Sequence, residues 1–318
     1  MKVDILLASY NGEKYIEEQI DSILKQTYSN FTLHISDDKS TDKTRKILEK
    51  YSKKDKRIVL HFQDKNQGYL KNFEYLLSIA TSDYIMLCDQ DDVWLENKVE
   101  VSLNKLTSDK LDLVVCNMLV VDEKLNIMDD SYFNFINLKL DKNFTFKDYL
   151  FRNPAAGCAM AFKKTLLKRI LPFPDLKHPY YIHDWYIYMI GQAYGNVGFI
   201  NEPLSRYRQH STNNVGMNRK TKKDFSFIRT ARDININYRI AFCDELLKKV
   251  NSKAKKDIKD FTSYLESLKE SKVINFKFSK YFEYSKLLGT KPKIKYFLLF
   301  HFPLFILSKG VNKNEKNN

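Results

Sequence analysis

Tyr84-Ile-Met-Leu-Cys-Asp-Gln-Asp-Asp-Val-Trp94 passes from a run of apolar, β-favouring residues to three carboxylates within four positions. A run of that kind makes a strand buried on both faces, and the strand ends where the charges begin. Asp89 and Asp91 at the end of a buried strand put two hard oxygen donors on a fixed scaffold. Such a pair suits Mg²⁺ or Mn²⁺ whose other positions go to water and a phosphate. Read alone, the same acids also make an ordinary solvated turn. The choice between the two rests on what lies upstream.

Val3 to Ala8 reads as a first buried strand, followed by the turn chemistry of Ser9-Tyr10-Asn11-Gly12. From Tyr15 the apolar positions Tyr15, Ile16, Ile20, Ile23 and Leu24 follow helical spacing, with Gln19 as a break. Phe31 to Ser36 is a second strand, ending in Asp37-Asp38-Lys39-Ser40-Thr41-Asp42; a helix from Thr44 to Tyr51 follows, capped by Ser40 or Thr41. Ile58 to Phe62 is a third, then Asp64-Lys65-Asn66-Gln67-Gly68 and a helix carrying Leu70, Phe73, Leu76, Leu77 and Ala80. Tyr84 to Cys88 is the fourth. Strands alternating with helices imply a parallel sheet with right-handed crossovers, whose ligands bind outside the carboxyl ends of the strands. The polar loops at 9–12, 37–42, 64–68 and 89–92 all fall at that edge.

No Gly-x-Gly-x-x-Gly or Gly-x-x-x-x-Gly-Lys-Ser/Thr cradle is present. The first two loops instead offer carboxylates and amides, which accept from a base N–H or a ribose hydroxyl. A metal at Asp89 and Asp91 then takes the diphosphate, and that division of labour describes a nucleotide-sugar site.

The 318 residues, 43% of them hydrophobic, can bury a full core in one large domain or two ordinary ones. Cys88, Cys116, Cys158 and Cys243 are widely spaced, without Cys-x-x-Cys or a Cys/His cluster, and read as reduced thiols of a cytosolic protein. The opening Met-Lys-Val-Asp-Ile is a strand rather than a secretion signal. Residues 1–217 hold 29 Lys+Arg against 29 Asp+Glu, and residues 218–318 hold 24 against 10, so the whole formal charge of +14 lies behind residue 217. A basic, aromatic-rich tail behind a neutral front faces an anionic surface, either nucleic acid or membrane lipid.

Downstream, Leu95 to Leu106 reads as a helix and Leu113 to Asn117 as a strand, while residues 118–150 carry no legible chemistry and suit an acceptor-side insertion. Asn153 to Phe162 is small and apolar around Gly157, which lets a substrate approach the backbone or packs a tight strand. His183-Asp184-Trp185 precedes a helix-like run to Ala193, so Asp184 sits at a helix N-terminus, where capping is the structural alternative to chemistry. His210 lies in a polar loop, open to a metal, to the leaving diphosphate or to surface hydrogen bonding. Phe225 to Val250 and Ala254 to Ser271 read as long helices. The apolar core Tyr296 to Leu307 within 291–309 is broken by Pro303 and too short to span roughly 30 Å of hydrocarbon. It reads as an interfacial anchor or as a last packed helix.

Ala8-Ser9-Tyr10-Asn11-Gly12, Ser36 to Asp42, Asn66-x-Gly68 with Asn72, and Asp89-Gln90-Asp91-Asp92 together resemble the family 2 glycosyltransferases of the GT-A fold. The likeness continues through Asn153 to Phe162, His183-Asp184-Trp185 and Tyr207-Arg208-Gln209-His210 with Asn213 or Asn214 and Gly216, covering residues 1–216. It implies that Asp38 binds the uracil or thymine edge, with Ser9 and Tyr10 beside the base, Asp37 supporting that loop, and Asn66 and Asn72 in the donor-binding set. It implies Asp91 as metal ligand, joined by Asp89, which also contacts the donor ribose or sugar, and by His210. Asp184 becomes the catalytic base. The family usually has Gly where this chain has Lys39, and many members have Glu-Asp where it has His183-Asp184. The His-Asp-Trp and Tyr-Arg-Gln-His forms are similar to rhamnosyltransferase-like members, which favours dTDP-L-rhamnose over a UDP-sugar.

The expected molecule is therefore α/β: a GT-A, Rossmann-like, mostly parallel sheet flanked by helices over residues 1–217, with a donor half at 1–117 and an acceptor half at 118–217. A mainly helical, basic region follows at 218–318. The expected activity is inverting, Mn²⁺- or Mg²⁺-dependent transfer of a sugar from a nucleoside diphosphate to a hydroxyl of a lipid-linked glycan in cell-surface polysaccharide assembly. The expected place is the cytoplasm, at the inner face of the cytoplasmic membrane, without nucleic acid as a partner. A nucleotidyltransferase would also use a strand-end acid pair, but its Gly/Lys-rich phosphate loop is missing. A non-catalytic binder of nucleic acid or an anionic surface would use the basic tail, yet no reader motif accompanies it.

Overall fold

The four apolar runs become β1 (Val3–Ser9), β2 (Phe31–Asp37), β3 (Ile58–Phe62) and β4 (Tyr84–Cys88), parallel neighbours in the order β3-β2-β1-β4. They alternate with α1 (Ile16–Leu24), α2 (Thr44–Lys54) and α3 (Tyr69–Ile79). The computed structural model describes residues 1–138, 140, 145–175, 183–210, 225–270 and 278–286. The anchor expected at 291–309 and the positions Asn213, Asn214 and Gly216 lie outside them. Among the described residues the sheet has nine strands, adding β5 (Val93–Trp94), β6 (Leu113–Val121), β7 (Ile127–Asp129), β8 (Met160–Lys163) and β9 (Val197–Arg208). β8 runs against β4 and β6, β9 runs with β6, and β5 and β7 run against β9 and β6. Six of the nine strands thus share one direction, the mixed, mostly parallel sheet of the expectation.

Several local readings change. Gln19 is no break: it is fully buried in α1, and its Nε2 donates to Cys88 Sγ under the sheet. Neither Ser40 nor Thr41 caps α2; Asp42 Oδ1 accepts from Thr44 N at 3.0 Å, and Ser40 and Thr41 serve the neighbouring loop instead. The helix expected from Leu95, α4, runs Lys98–Ser108, because Val93 and Trp94 are first drawn into β5 against Arg206 and Ser205. β6 continues past Asn117. Its amide is satisfied by Ser131 Oγ, Asn201 O, Met118 N and Phe133 N at a register shift, so a polar residue does not end the strand.

The remaining helices are α5 (Tyr132–Phe135), α6 (Phe146–Tyr149), α7 (Leu167–Ile170), α8 (His183–Tyr194), α9 (Phe225–Lys249), α10 (Ser252–Glu270) and α11 (Phe278–Tyr284). None among the described residues is long and apolar enough to cross a membrane. By contacts the chain divides into one unit drawn from 1–136, 155–175 and 182–217 and another drawn from 137–154, 176–181 and 218–318. Residues 137–154, assigned by sequence to the acceptor half, therefore cluster with the C-terminal helices. In that second unit Phe151, Phe261, Tyr264, Tyr281 and Tyr284 form an aromatic core, and Arg239 Nη1 donates to Phe151 O. The four cysteines are free and buried, and burial pushes every thiol up from its ordinary value.

Asp4, a charge within the first apolar run, is fully buried and accepts from Thr81 N at 2.7 Å, Ser82 N at 2.8 Å and Ser82 Oγ at 2.7 Å, fixing the entry to β4. Burial opposes its charge, but hydrogen bonds from His34, Ser82 and Thr81 outweigh it and hold the carboxyl well below the usual range. Asp4→Ala removes the acceptor of the Thr81 N, Ser82 N, Ser82 Oγ and His34 donors and should lower the unfolding free energy by about 3 kcal/mol in urea titration. A depressed carboxyl stabilises the fold fully above the ordinary aspartate value of about 3.9, and this part is lost as pH falls below it. The gap between parent and Asp4→Ala should therefore narrow in acid, and a gap that stays constant to pH 2 would contradict this account.

Candidate active site

β1 and β4 are adjacent, yet the chain leaves β1 toward β2 and returns to β4 on the other side, which makes their carboxyl ends the switch point where a doubly wound sheet opens a crevice. The 9–12 loop leaves β1 there. Ser9 is buried, with Oγ 3.4 Å from Asp37 Oδ2 and 3.5 Å from Ser36 O, whereas Tyr10 is 45% exposed at the mouth. Asp37 is fully buried and accepts from Arg45 Nε at 2.5 Å, from Ser40 N at 3.0 Å and from Ser40 Oγ, which makes it the brace of the 37–42 loop. Asp38 turns the other way: Oδ1 accepts from Gln67 N and Oδ2 from Gly68 N, both at 2.8 Å, joining the second loop to the third. Lys39 has φ +63°, a left-handed backbone that explains why glycine is the easier residue after Asp38. Asn66 is exposed on the third loop. Asn72 is buried in α3, with Nδ2 donating to Ser36 O at 2.9 Å and Oδ1 with no partner among the described residues.

At the end of β4, Asp89 and Asp91 are half-buried and Asp92 is buried. His210 Nε2 lies 2.9 Å from Asp91 Oδ2, and the His210 ring packs on Tyr15 with centroids 4.8 Å apart. Burial, then the charge of Asp91, lifts the Asp89 carboxyl to about 7. Asp89, Asp92 and Cys158 bring ligand atoms within 4.8 Å of one another, and Asp92 Oδ2 is buried with no hydrogen-bond partner among the described residues. The two carboxylates of this cluster suit a hard divalent cation, which would offset their excess of buried charge, while Asp91 and His210 form a separate pair beside it and do not join Asp89 in one ligand cluster among the described residues. Part of the excess meets Lys98. This lysine is 1% exposed, with Nζ 2.7 Å from Cys158 O, 3.3 Å from Ser205 Oγ and 4.3 Å from the Trp94 ring centroid.

Behind this loop runs Arg208, 2% exposed. Its N donates to Asp92 Oδ1 at 3.1 Å, Nε to Asp91 O at 2.8 Å, Nη1 to Glu123 O at 2.7 Å and Nη2 to Glu18 Oε2, while its guanidinium carbon lies 4.7 Å from the Tyr15 ring centroid.

The 3₁₀ turn Gly157–Ala159 carries the site across to α8. On one side Cys158 meets Asp89 and Asp92; on the other, a Cβ at Gly157 would lie 3.0 Å from His183 Nε2 and 3.7 Å from Asp184 Cβ. Asp184 is 6% exposed in the first turn of α8, and its Oδ1 accepts from Trp185 N at 2.5 Å. His183 stacks on Phe73 at 4.4 Å, neither ring nitrogen has a hydrogen-bond partner among the described residues, and burial lowers its pKa to about 3, so the imidazole is neutral.

A mixed, mostly parallel sheet with its polar loops gathered at the switch point and helices on its faces is the fold of the GT-A glycosyltransferases. This chain belongs to one family of them: residues 4–171 match the family model of Glycosyl transferase family 2. The chain is 29% identical over 239 residues, 71% of its length and 79% of the relative's, to the dTDP-rhamnosyl transferase RfbG of Shigella flexneri. Its fold is similar to that of TarS 1–349 of S. aureus in complex with UDP, with TM-score 0.60 and 17% identity over 94% of this chain and 79% of that one. It is also similar to the mannosyltransferase PcManGT from Pyrobaculum calidifontis in complex with GDP-Man and Mn²⁺, with TM-score 0.54 and 17% identity over 83% and 69% of the two chains. At those identities the structures bear on the fold alone.

Lys98 and Arg208 are site residues whose roles no sequence motif marks. Lys98 did leave a signal: it shares the helical spacing of Val99, Ser102, Leu103 and Leu106, the buried face of α4. Arg208→Lys keeps the charge but not the planar fork, leaving carbonyls and Glu18 unmatched. It should cost about 3 kcal/mol, of the order for a broken buried charge network. Chemical denaturation reads this directly, and a midpoint equal to the parent's would remove the fork from the account.

Proposed function

We propose that this glycosyltransferase takes dTDP-L-rhamnose or a UDP-sugar as donor and transfers the sugar, with inversion, to a hydroxyl of a glycan acceptor. The observation that carries the reading is the Gly157–Ala159 turn, which meets the Asp89/Asp92 carboxylates on one side and Asp184 on the other. A diphosphate held at the first and an acceptor hydroxyl at the second then flank one anomeric carbon. Asp184 takes the hydroxyl proton as that oxygen attacks, and the bond to the diphosphate breaks on the opposite face. Asp89, Asp91 and His210 would hold Mn²⁺ or Mg²⁺, which when bound neutralises the departing diphosphate. Asp38, Ser9 and Tyr10 receive the base, Asp37 braces their loop, and Asn66 and Asn72 complete the donor side.

The names of relatives and neighbours support this donor class: RfbG as a dTDP-rhamnosyl transferase, TarS with UDP and PcManGT with Mn²⁺. Residues 1–217 form the catalytic domain of this reading, with the donor half first. The acceptor is lipid-linked and met at the inner membrane face, a view supported by the confinement of the +14 charge to residues 218–318.

Asp184→Asn keeps shape and hydrogen bonding but accepts no proton, so single-turnover transfer should fall by a factor on the order of 10² to 10⁴ with donor affinity little changed. Because Asn caps a helix about as well as Asp, a variant that transfers near the parent rate would reduce Asp184 to a cap. His210→Ala and Asp91→Ala should each weaken Mn²⁺ binding, by electron paramagnetic resonance titration, about tenfold or more while the melting temperature holds. Unchanged Mn²⁺ affinity in both would move the cation elsewhere.

A further inference from the structure

Gln90 stands between Asp89 and Asp91, and its amide crosses the switch point: Oε1 accepts from Tyr10 N at 2.9 Å, and Nε2 donates to Tyr10 O at 3.0 Å. β1 ends at Ser9 and β4 at Cys88, so at Tyr10 and Gln90 the backbone ladder between these strands has run out. The side-chain amide continues it, with one donor and one acceptor matched to one residue of the opposite loop. Room for the amide comes from Gly12, where a Cβ would lie 2.3 Å from Gln90 Oε1, 2.7 Å from its Cδ and 3.3 Å from its Nε2. Gly12 is not among the positive-φ residues, so its requirement is for the missing side chain rather than for a glycine backbone.

We propose that Gln90 is a positioning residue that holds the nucleoside loop at 9–12 and the cation loop at 89–92 in one geometry, so that its loss weakens both sites although it contacts neither ligand. The inference rests on the donor-site reading given above. Both loops leave strand ends without further backbone pairing to each other, and two hydrogen bonds from one side chain set their spacing.

The test uses the full chain and probes that cannot bridge the two loops themselves: Mn²⁺ alone, and uridine or thymidine, which lack phosphate. Gln90→Ala should weaken Mn²⁺ and the bound nucleoside each about tenfold, the order of two net hydrogen bonds. Gly12→Ala should do the same in the parent, by driving the amide out. In the Gln90→Ala background, where the clashing atoms are gone, Gly12→Ala should add nothing. Such non-additivity marks a shared interaction, and a general loss of structure would not produce it. Thermal unfolding of the three variants checks that they fold. Affinities of Gln90→Ala within twofold of the parent for both probes overturn the proposal, as do losses that multiply in the double variant. If the parent itself binds nucleoside but no Mn²⁺, the cation reading falls and the nucleoside series alone decides on Gln90. A parent that binds neither probe overturns both.

Discussion

Arg208 is the constraint on which the site end of the sheet depends. A guanidinium that is 2% exposed must have its donors matched, and here they are matched by parts far apart in sequence: Glu18 of α1, the Asp91 carbonyl, Asp92 by way of the Arg208 backbone, and the Glu123 carbonyl. β9 is thereby tied to the 89–92 loop and to the first helix at once. Tyr15 extends the tie, since it packs under the Arg208 guanidinium and against the His210 ring. The position of His210 next to Asp91 is set by this packing two residues upstream, not by the loop in which the histidine sits.

The two acids that follow each other at the end of β2 show how a strand divides labour. Successive side chains point to opposite faces, so Asp37 turns into Arg45 and Ser40 while Asp38 turns toward the third loop. One carboxylate shapes its own loop and the other joins two loops, and Lys39 adopts a left-handed backbone to follow them.

The alternation of strands and helices was legible because parallel strands are nearly continuous apolar runs; the buried β4 and the half-exposed edge strand β3 both have the limits that those runs set. The convergence of four polar loops followed from topology. What sequence could not show were polar residues whose partners come from distant segments. Gln19 reads as a gap in an apolar stripe until Cys88 is placed beneath it, and Asn117 reads as a strand end until Ser131 and Asn201 satisfy its amide. β5, only two residues long, has no period to detect and shifts the start of α4. Lys98 is a charge on a buried face, tolerated because a carbonyl, a hydroxyl and an aromatic ring receive its ammonium.

The buried cysteines carry a consequence for reactivity. A thiol reacts as its thiolate and only where a reagent can reach it, and burial denies both conditions to Cys88, Cys116, Cys158 and Cys243. Cys158 differs from the others in what covers it, because its sulfur lies against Asp89 and Asp92 at the end of β4. The rate at which Cys158 is labelled is therefore a clock for how often the buried end of β4 is exposed.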